Sequence, residues 1–287
     1  MINRLPRAVK APLRAIRNAA ASGAALPLSV ALNVMPRLVR VRINARTRLT
    51  GTMDYRPSPI RMHVDSLTEL GRLRSCIKEP GTVAWLEEFM GSDDVLYDIG
   101  ANVGAYSLIA ASKVMNGNGK VVSFEPSYRN FSRLNENLEL NGVSEKVIPI
   151  SVALSNSVDI ARFRFSSVEI GAALHNMEGA TLRRNARPSV AVSNVLTMPL
   201  DQLVPMFDLP MPTMIKLDVD GPELEILQGA ATILEHPGLR TIQIEVEPDQ
   251  AARARITDLL ESKGWTLRSR NTHYGDAVDE DWVWVRQ

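Results

Sequence analysis

The chain has 287 residues, of which 45% are hydrophobic and 23% charged, proportions that suit one sizeable soluble core with an extension. Its single cysteine, Cys76, excludes an internal disulfide and any cluster of cysteine metal ligands, and it fits a reducing, cytoplasmic setting. His63, His175, His236 and His273 show no paired ligand spacing, so no metal site is predicted.

The net charge of +1 hides an asymmetry: residues 1–50 carry ten basic residues and no acid, leaving 23 basic against 32 acidic residues in 51–287. We read residues 1–60 as a basic extension and 61–287 as the folded domain. The extension has two readings, a solvated and poorly ordered terminus or an arm drawn to an anionic phospholipid surface. Within it, Ala19 to Met35 is apolar but interrupted by Ser22, Gly23, Pro27, Ser29 and Asn33, and its length is near the lower limit for a spanning helix. A signal anchor and a peripheral membrane contact through Leu5, Val9, Leu13 and Ile16 are its alternatives. The acidic body, with the basic residues gathered outside it, argues against a nucleic-acid partner.

From residue 93 the pattern becomes regular. Val95 to Ile99 is a short apolar run ending in a turn, which reads as a buried strand. Gly104 to Val114 has helical composition, and Asn116 to Gly119 is a turn cluster. Lys120 to Glu125 is the second strand. Pro126 then opens a helix that stops at Asn141-Gly142, and Val147 to Val152 is the third strand. Met214 to Val219 reads as a strand, Pro222 to Leu234 as a helix with proline in its first turn, Thr241 to Val246 as a strand and Ala251 to Lys263 as a helix. Trp265 to Arg268 and Trp282 to Val285 close the set. Such alternation predicts a doubly wound α/β fold, a mainly parallel seven-stranded sheet with helices on both faces.

Residues 155–198 break the alternation. Ala161 to Phe165 alternates like an exposed strand, and Val190 to Leu196 is its expected partner, with His175, Asn176, Arg183, Arg184 and Arg187 between them. Ligands in open α/β sheets sit beyond the carboxyl ends of the strands, so this insertion is expected near the substrate site.

The turn Asp98-Ile99-Gly100-Ala101-Asn102-Val103-Gly104 joins the first strand to its helix. Glycines there let backbone approach a ligand, and a helix N-terminus presents N–H groups. Dinucleotide enzymes use the spacing G-x-G-x-x-G for a pyrophosphate. Here Asn102 takes the middle glycine's place, which argues against that alternative, an NAD-dependent oxidoreductase. A methionine-bearing nucleoside needs other partners: a carboxylate for its ammonium, which Asp98 can serve, and loop N–H or hydroxyl donors for its carboxylate. Glu125, ending the second strand, is placed to accept from both ribose hydroxyls. Asp98 also reads as a capping residue and Glu125 as a surface acid before proline.

The string Asp98 to Ser107 closely resembles the first motif of FkbM-type methyltransferases. So do Phe124-Glu125-Pro126 with Leu134, Asn137 and Asn141, and Ile215 to Glu223 followed by Leu227, Gly229 and Ala230. Glu79-Pro80-Gly81-Thr82 with Trp85 is similar to the family's lead-in helix. Three motifs in order span roughly residues 75–248. The resemblance implies a Rossmann-like class I methyltransferase fold with S-adenosyl-L-methionine as cofactor and O-methylation of a sugar, glycan or other small-molecule acceptor. The cofactor residues it implies are Asp98, Gly100, Asn102, Gly104, Tyr106, Glu125, Pro126, Val152 and Asp218. One departure is that the family usually has glutamate at the position of Asp220 and commonly alanine at that of Pro222. A non-catalytic S-adenosylmethionine-binding scaffold is the second alternative, and the Asp220 departure is its sequence hint.

Methyl transfer from a sulfonium is an in-line displacement, so the protein chiefly orients the acceptor and helps remove a hydroxyl proton. Lys216, Asp218 and Asp220 alternate along the fourth strand and should share a face. Asp218 is the expected base or positioning group, with Lys216 tuning its charge. Alternatively Lys216 only neutralises Asp218, Asp220 or Glu245. Tyr106 is placed to stack on the methionine portion or to pack in the core. His175 is a further candidate base, with a surface loop its other reading.

Overall fold

The computed structural model describes residues 35–46, 48–173, 175–177, 188–272 and 280–286. The chain divides into two compact units, Met1–Arg48 and Leu49–Gln287. Helix α1 (Arg37–Arg46) belongs to the first. The second begins earlier than the boundary at residue 60 that charge composition suggests. Its reason is apolar burial, since Met53, Tyr55 and Ile60 pack into one core cluster with Trp85 and Leu86. The apolar stretch from Ala19 lies outside the described residues up to residue 34. No helix among the described residues is long and apolar enough to cross a membrane.

The second unit opens with an antiparallel hairpin, β1 (Thr50–Thr52) and β2 (Arg61–His63). Three short helices follow: α2 (Leu67–Arg72), α3 (Ser75–Lys78) and α4 (Pro80–Phe89). Ser66 caps α2 by accepting from the N–H of Glu69, and Pro80 opens α4, where a missing N–H costs nothing. The alternating part then runs β3 (Val95–Ile99), α5 (Ala105–Val114), β4 (Lys120–Phe124), α6 (Tyr128–Asn141) and β5 (Val147–Ile150). Four strands come next, β6 (Ala153–Leu154), β7 (Asp159–Phe165), β8 (Asn176–Met177) and β9 (Ala191–Met198). The chain then continues through α7 (Leu200–Met206), β10 (Met214–Leu217), α8 (Glu223–Gln228), β11 (Thr241–Val246), α9 (Gln250–Ser262), β12 (Thr266–Thr272) and β13 (Glu280–Val285).

The main sheet has the order β12-β13-β11-β10-β3-β4-β5. Its five central strands are parallel, and β13 runs antiparallel to both β11 and β12. This is the Rossmann-like class I methyltransferase architecture. All residues of β10 and β11 are buried, as parallel strands covered on both faces must be. Alternation sorts each strand between two cores: along β3, Leu96 packs with α5 while Tyr97 and Ile99 pack on the opposite face. Chain order reverses between β3 and β10, the switch point where ligands bind in such sheets.

The described residues of the 155–198 insertion, together with β6 just before it, form a second sheet, β6-β9-β7-β8, in which β7 and β9 pair antiparallel from Asp159↔Thr197 to Phe165↔Ala191. The pairing read from alternation holds there. Arg183, Arg184 and Arg187 lie outside the described residues. Some expected elements end early, the third strand at Ile150 among them. The helix from Pro222 stops at Gln228, because Gly229 packs against the Ser155 carbonyl, where a Cβ would sit 2.1 Å from the oxygen. The fourth strand stops at Leu217, with consequences for the site.

Candidate functional site

The glycine loop leaves β3 and crosses the end of β10. Gly100 has φ 85°, and a Cβ on it would meet the Asp218 carbonyl oxygen at 1.8 Å, so only glycine fits. The left-handed conformation continues at Asn102 (φ 51°) and Gly104 (φ 90°), which turn the chain into α5. The loop's own N–H groups are spent. Gly100 and Ala101 both donate to Phe124 O, Gly104 donates to Ala101 O, and Asn102 donates to Glu125 Oε2 at 2.8 Å. Val103 donates to the Asn102 side chain. The expectation that these N–H groups receive a carboxylate is therefore corrected: the tight turn consumes them.

Glu125 closes the loop from the neighbouring strand. Its two oxygens accept from the Asn102 and Ser127 N–H groups, each at 2.8 Å. Burial raises its pKa to about 7 despite those bonds and the positive charge of Arg72. Each oxygen keeps a lone pair for a hydroxyl. Beside it lies a pocket with about 460 Å³ of empty space including its open mouth. Its lining takes in the apolar Phe124, Pro126, Val152 and Leu154, Gly100 and Val219 beside the loop, and Phe163, His175 and Met177 from the insertion. A flat aromatic base suits such a lining. Val152 lies beyond the end of β5 rather than within it, and so turns toward this pocket.

A charged cluster sits across the loop. In the sheet register Ser123, Asp98, Lys216 and Gln243 lie side by side on four adjacent strands, a polar row through the hydrophobic layer. Asp98 is fully buried. Its Oδ2 accepts from Ser107 Oγ at 2.5 Å, and Oδ1 is buried without a partner. Burial raises its pKa, with Lys216 and Ser107 working in the opposite direction. The Lys216 ammonium lies 2.8 Å from Asp218 Oδ2 and 4.9 Å from the centre of the Tyr106 ring. Burial opposes its charge, but Asp218, Asp98 and Glu79 outweigh burial and raise its pKa. Asp218 keeps 28% of its side chain exposed, whereas Lys216 keeps 3%, so the aspartate is the cluster's face to solvent.

Glu79, at the junction of α3 and α4, completes the cluster. Although burial and Asp218 push its pKa up, Lys78 and Lys216 win and hold it below the ordinary value. In the sequence it is legible only as part of a resemblance. A helix-entry Glu-Pro pair gives no hint that its carboxylate meets a strand over a hundred residues later. Tyr106 is buried, donates to Ser75 O at 3.3 Å and lies under Lys216, so its ring serves the ammonium and not the pocket lining.

The shared face expected for Lys216, Asp218 and Asp220 is corrected too. The strand ends at Leu217, and Asp220 has φ 66° followed by Gly221 at φ 135°, so the two-residue period does not reach it. Asp220 lines the apolar pocket with Pro222, opposite His175, while Asp218 stays with Lys216.

His175 is a wall residue rather than part of a surface loop. Its ring contacts Phe163 and Phe165 edge-on at 5.5 and 5.1 Å, and burial and then Arg72 lower its pKa to about 4. The segment before it is pinned to the cofactor loop, since the Ala172 carbonyl accepts from both Asn102 Nδ2 and Asn130 Nδ2. The insertion thus caps the site.

The methyltransferase FkbM domain model matches residues 98–267. The chain belongs to the FkbM methyltransferase family. Its methyl donor is S-adenosyl-L-methionine. A hexuronic acid methyltransferase, AglP, of Haloferax volcanii is 30% identical over 192 residues, 66% of this chain and 72% of that protein. Methyltransferase sdnD of Sordaria araneosa is 25% identical over 61% of this chain and 75% of its own length. A solved FkbM methyltransferase from Methylobacillus flagellatus is 17% identical with a TM-score of 0.48, covering 68% of this chain and 44% of that one. Family membership decides against the oxidoreductase alternative. The residues of this FkbM-family chain also fit the donor: the apolar pocket suits a base, Glu125 has lone pairs for ribose hydroxyls, and Asp98 Oδ1 is a buried acceptor awaiting a donor.

Proposed function

We propose that this methyltransferase transfers its methyl group to a hydroxyl of a sugar or glycan, and that acidic sugars are its preferred acceptors. The observation that carries the reading is Asp218, a part-exposed carboxylate held by a buried lysine at the end of the strand beside the glycine loop. The relative that acts on hexuronic acid supports the acceptor class.

S-Adenosyl-L-methionine brings an already activated methyl group, which leaves orientation and proton removal to the protein. In our reading, Phe124, Pro126, Val152 and Leu154 would hold the adenine, Glu125 would accept from the ribose hydroxyls and Asp98 would receive the ammonium. Gly100 gives the room for close approach, while Asn102 and Gly104 set the loop's turn. Asp218 accepts the acceptor's hydroxyl proton, and Lys216 fixes the carboxylate's rotamer through their 2.8 Å contact. His175 is neutral near pH 7 and walls the pocket, which makes it a shape-setting residue in preference to the base.

The test is incubation of the protein and labelled S-adenosylmethionine with neutral sugars, uronic acids and non-sugar alcohols. Product analysis by mass spectrometry and NMR should place the label on a sugar oxygen, with uronic acids the better acceptors. Label on nitrogen or carbon, or on non-sugar alcohols alone, would overturn the proposal.

A further inference from the structure

A second depression adjoins the capped pocket. It is lined by Arg72, Lys78, Ser166, Ser167, Glu169 and the backbone of Gly171–Ala173. Nearby residues of the insertion line both, Gly171, Ala172 and Ala173 the depression and His175 the pocket.

Arg72 ends α2 and is half-buried. Its Nε and Nη2 both donate to the Gly171 carbonyl, at 3.1 and 2.9 Å, which fixes the guanidinium in place. Five N–H groups sit on an arginine, so three remain. Among the described residues it meets no carboxylate at ion-pair distance. Its charge nevertheless bears on Glu125, Tyr106, His175 and Lys78, which places it at the centre of the site's rim. Lys78 stands beside it and pairs with Glu79 at 2.5 Å, with two ammonium N–H groups left over. The acid on the rim, Glu169, is engaged by Thr68 Oγ1 at 2.7 Å. A guanidinium held in place with three N–H groups still to donate is preorganised for an anion. The loop that would otherwise take a carboxylate has no N–H to offer between Gly100 and Gly104.

We propose that Arg72, assisted by Lys78, is a carboxylate-binding subsite at the mouth of the methyl-transfer site. Two carboxylates can reach such a position, the one on the donor's methionine end and the one on an acidic sugar acceptor. The inference rests on the methyltransferase site described above, and only its acceptor arm rests on the sugar reading.

Calorimetry with matched ligands tests it without turnover. The donor arm compares S-adenosylmethionine with its decarboxylated form. The acceptor arm compares glucuronate with glucose on protein saturated with S-adenosylhomocysteine. Wild type should prefer the carboxylate-bearing ligand in at least one arm, and Arg72→Met should reduce that preference roughly 10- to 100-fold while leaving the neutral ligand's affinity intact. The arm that responds names the carboxylate. Lys78→Met, at an exposed position, should cut the same preference severalfold and keeps the test usable if Arg72→Met misfolds. Equal weakening of charged and neutral ligands, or no preference in wild type, would overturn the subsite. Retention of the preference by a protein that methylates no sugar would overturn the sugar reading and leave the subsite standing.

Discussion

The two halves of the site lie on either side of the glycine loop and have opposite characters. On one side of the glycine loop Phe124, Val152, Leu154, Phe163 and Met177 enclose an apolar pocket. On the other, Asp98, Lys216, Asp218 and Glu79 form a buried network of charge. Alternation explains the division, because neighbouring residues of one strand face opposite layers. Asp98 and Lys216 are register partners on one face, while Ile99 and Leu217 beside them face the other. Two side-chain periods therefore give a neutral slot for a base and a charged slot for a reacting end, set only a loop's width apart. Desolvation has opposite consequences in the two. In the apolar half it leaves His175 neutral, whereas in the charged half mutual pairing keeps Lys216 protonated despite burial.

Gly100 is the hinge between the halves, and Gly100→Ala should have the largest effect. The added methyl would clash with the Asp218 carbonyl and force a positive φ, which we expect to cost at least about 4 kcal/mol. Gly142→Ala is the control: it also has positive φ, but nothing lies within 4 Å of where the new methyl would sit, so only about 1 kcal/mol should be lost. Denaturant midpoints compare the two, and similar losses would show that the loop tolerates displacement.

Asp218→Asn addresses the charged half alone. Turnover should fall about 100-fold with little change in affinity for S-adenosylhomocysteine, as expected for a lost proton acceptor. Unchanged turnover would reduce the Lys216–Asp218 pair to a structural ion pair. The smallest effect belongs to the apolar half. The imidazole of His175 has its pKa lowered from 6.5 to about 4, so the unfolded chain takes up the proton first as pH falls. The neutral ring's contribution is complete above about pH 6.5 and is lost as pH falls toward 4, by roughly 2 kcal/mol already at about pH 5. His175→Gln should flatten that acid limb in thermal melts taken from pH 7 to pH 4. An equally steep limb in the variant would assign the pH dependence to another group.

Much of the frame is legible in the sequence. The apolar runs at Val95, Lys120, Met214 and Thr241 lie on strands at those places, and Ala161 to Phe165 does pair with the segment after Val190. Gly100, Pro126, Val152 and His175, each singled out by sequence, line a single pocket. The placement of Asp220 is not legible, because a strand pattern carries no mark of where extension stops, and a positive φ at a non-glycine residue leaves no compositional trace. Arg72 and Lys78 look like ordinary helix-end cations in the sequence, and Glu79 stands out only by its likeness to a motif.

The resemblance of three motifs named the methyltransferase family, while local composition and spacing by themselves determined the α/β class and the strand-loop-helix unit at Asp98–Gly104. Those depend on periods of two and 3.6 residues and on glycines whose conformation no other residue adopts cheaply. The tertiary structure decided which side chains meet. It set Lys216 beside Asp98 through strand register, brought Glu79 across from an early helix, spent the loop's N–H groups on Phe124 and Glu125, and left Arg72 as a fixed cation at the rim. Burial and desolvation act between segments far apart in the chain, and their strength depends on distances that no local pattern encodes.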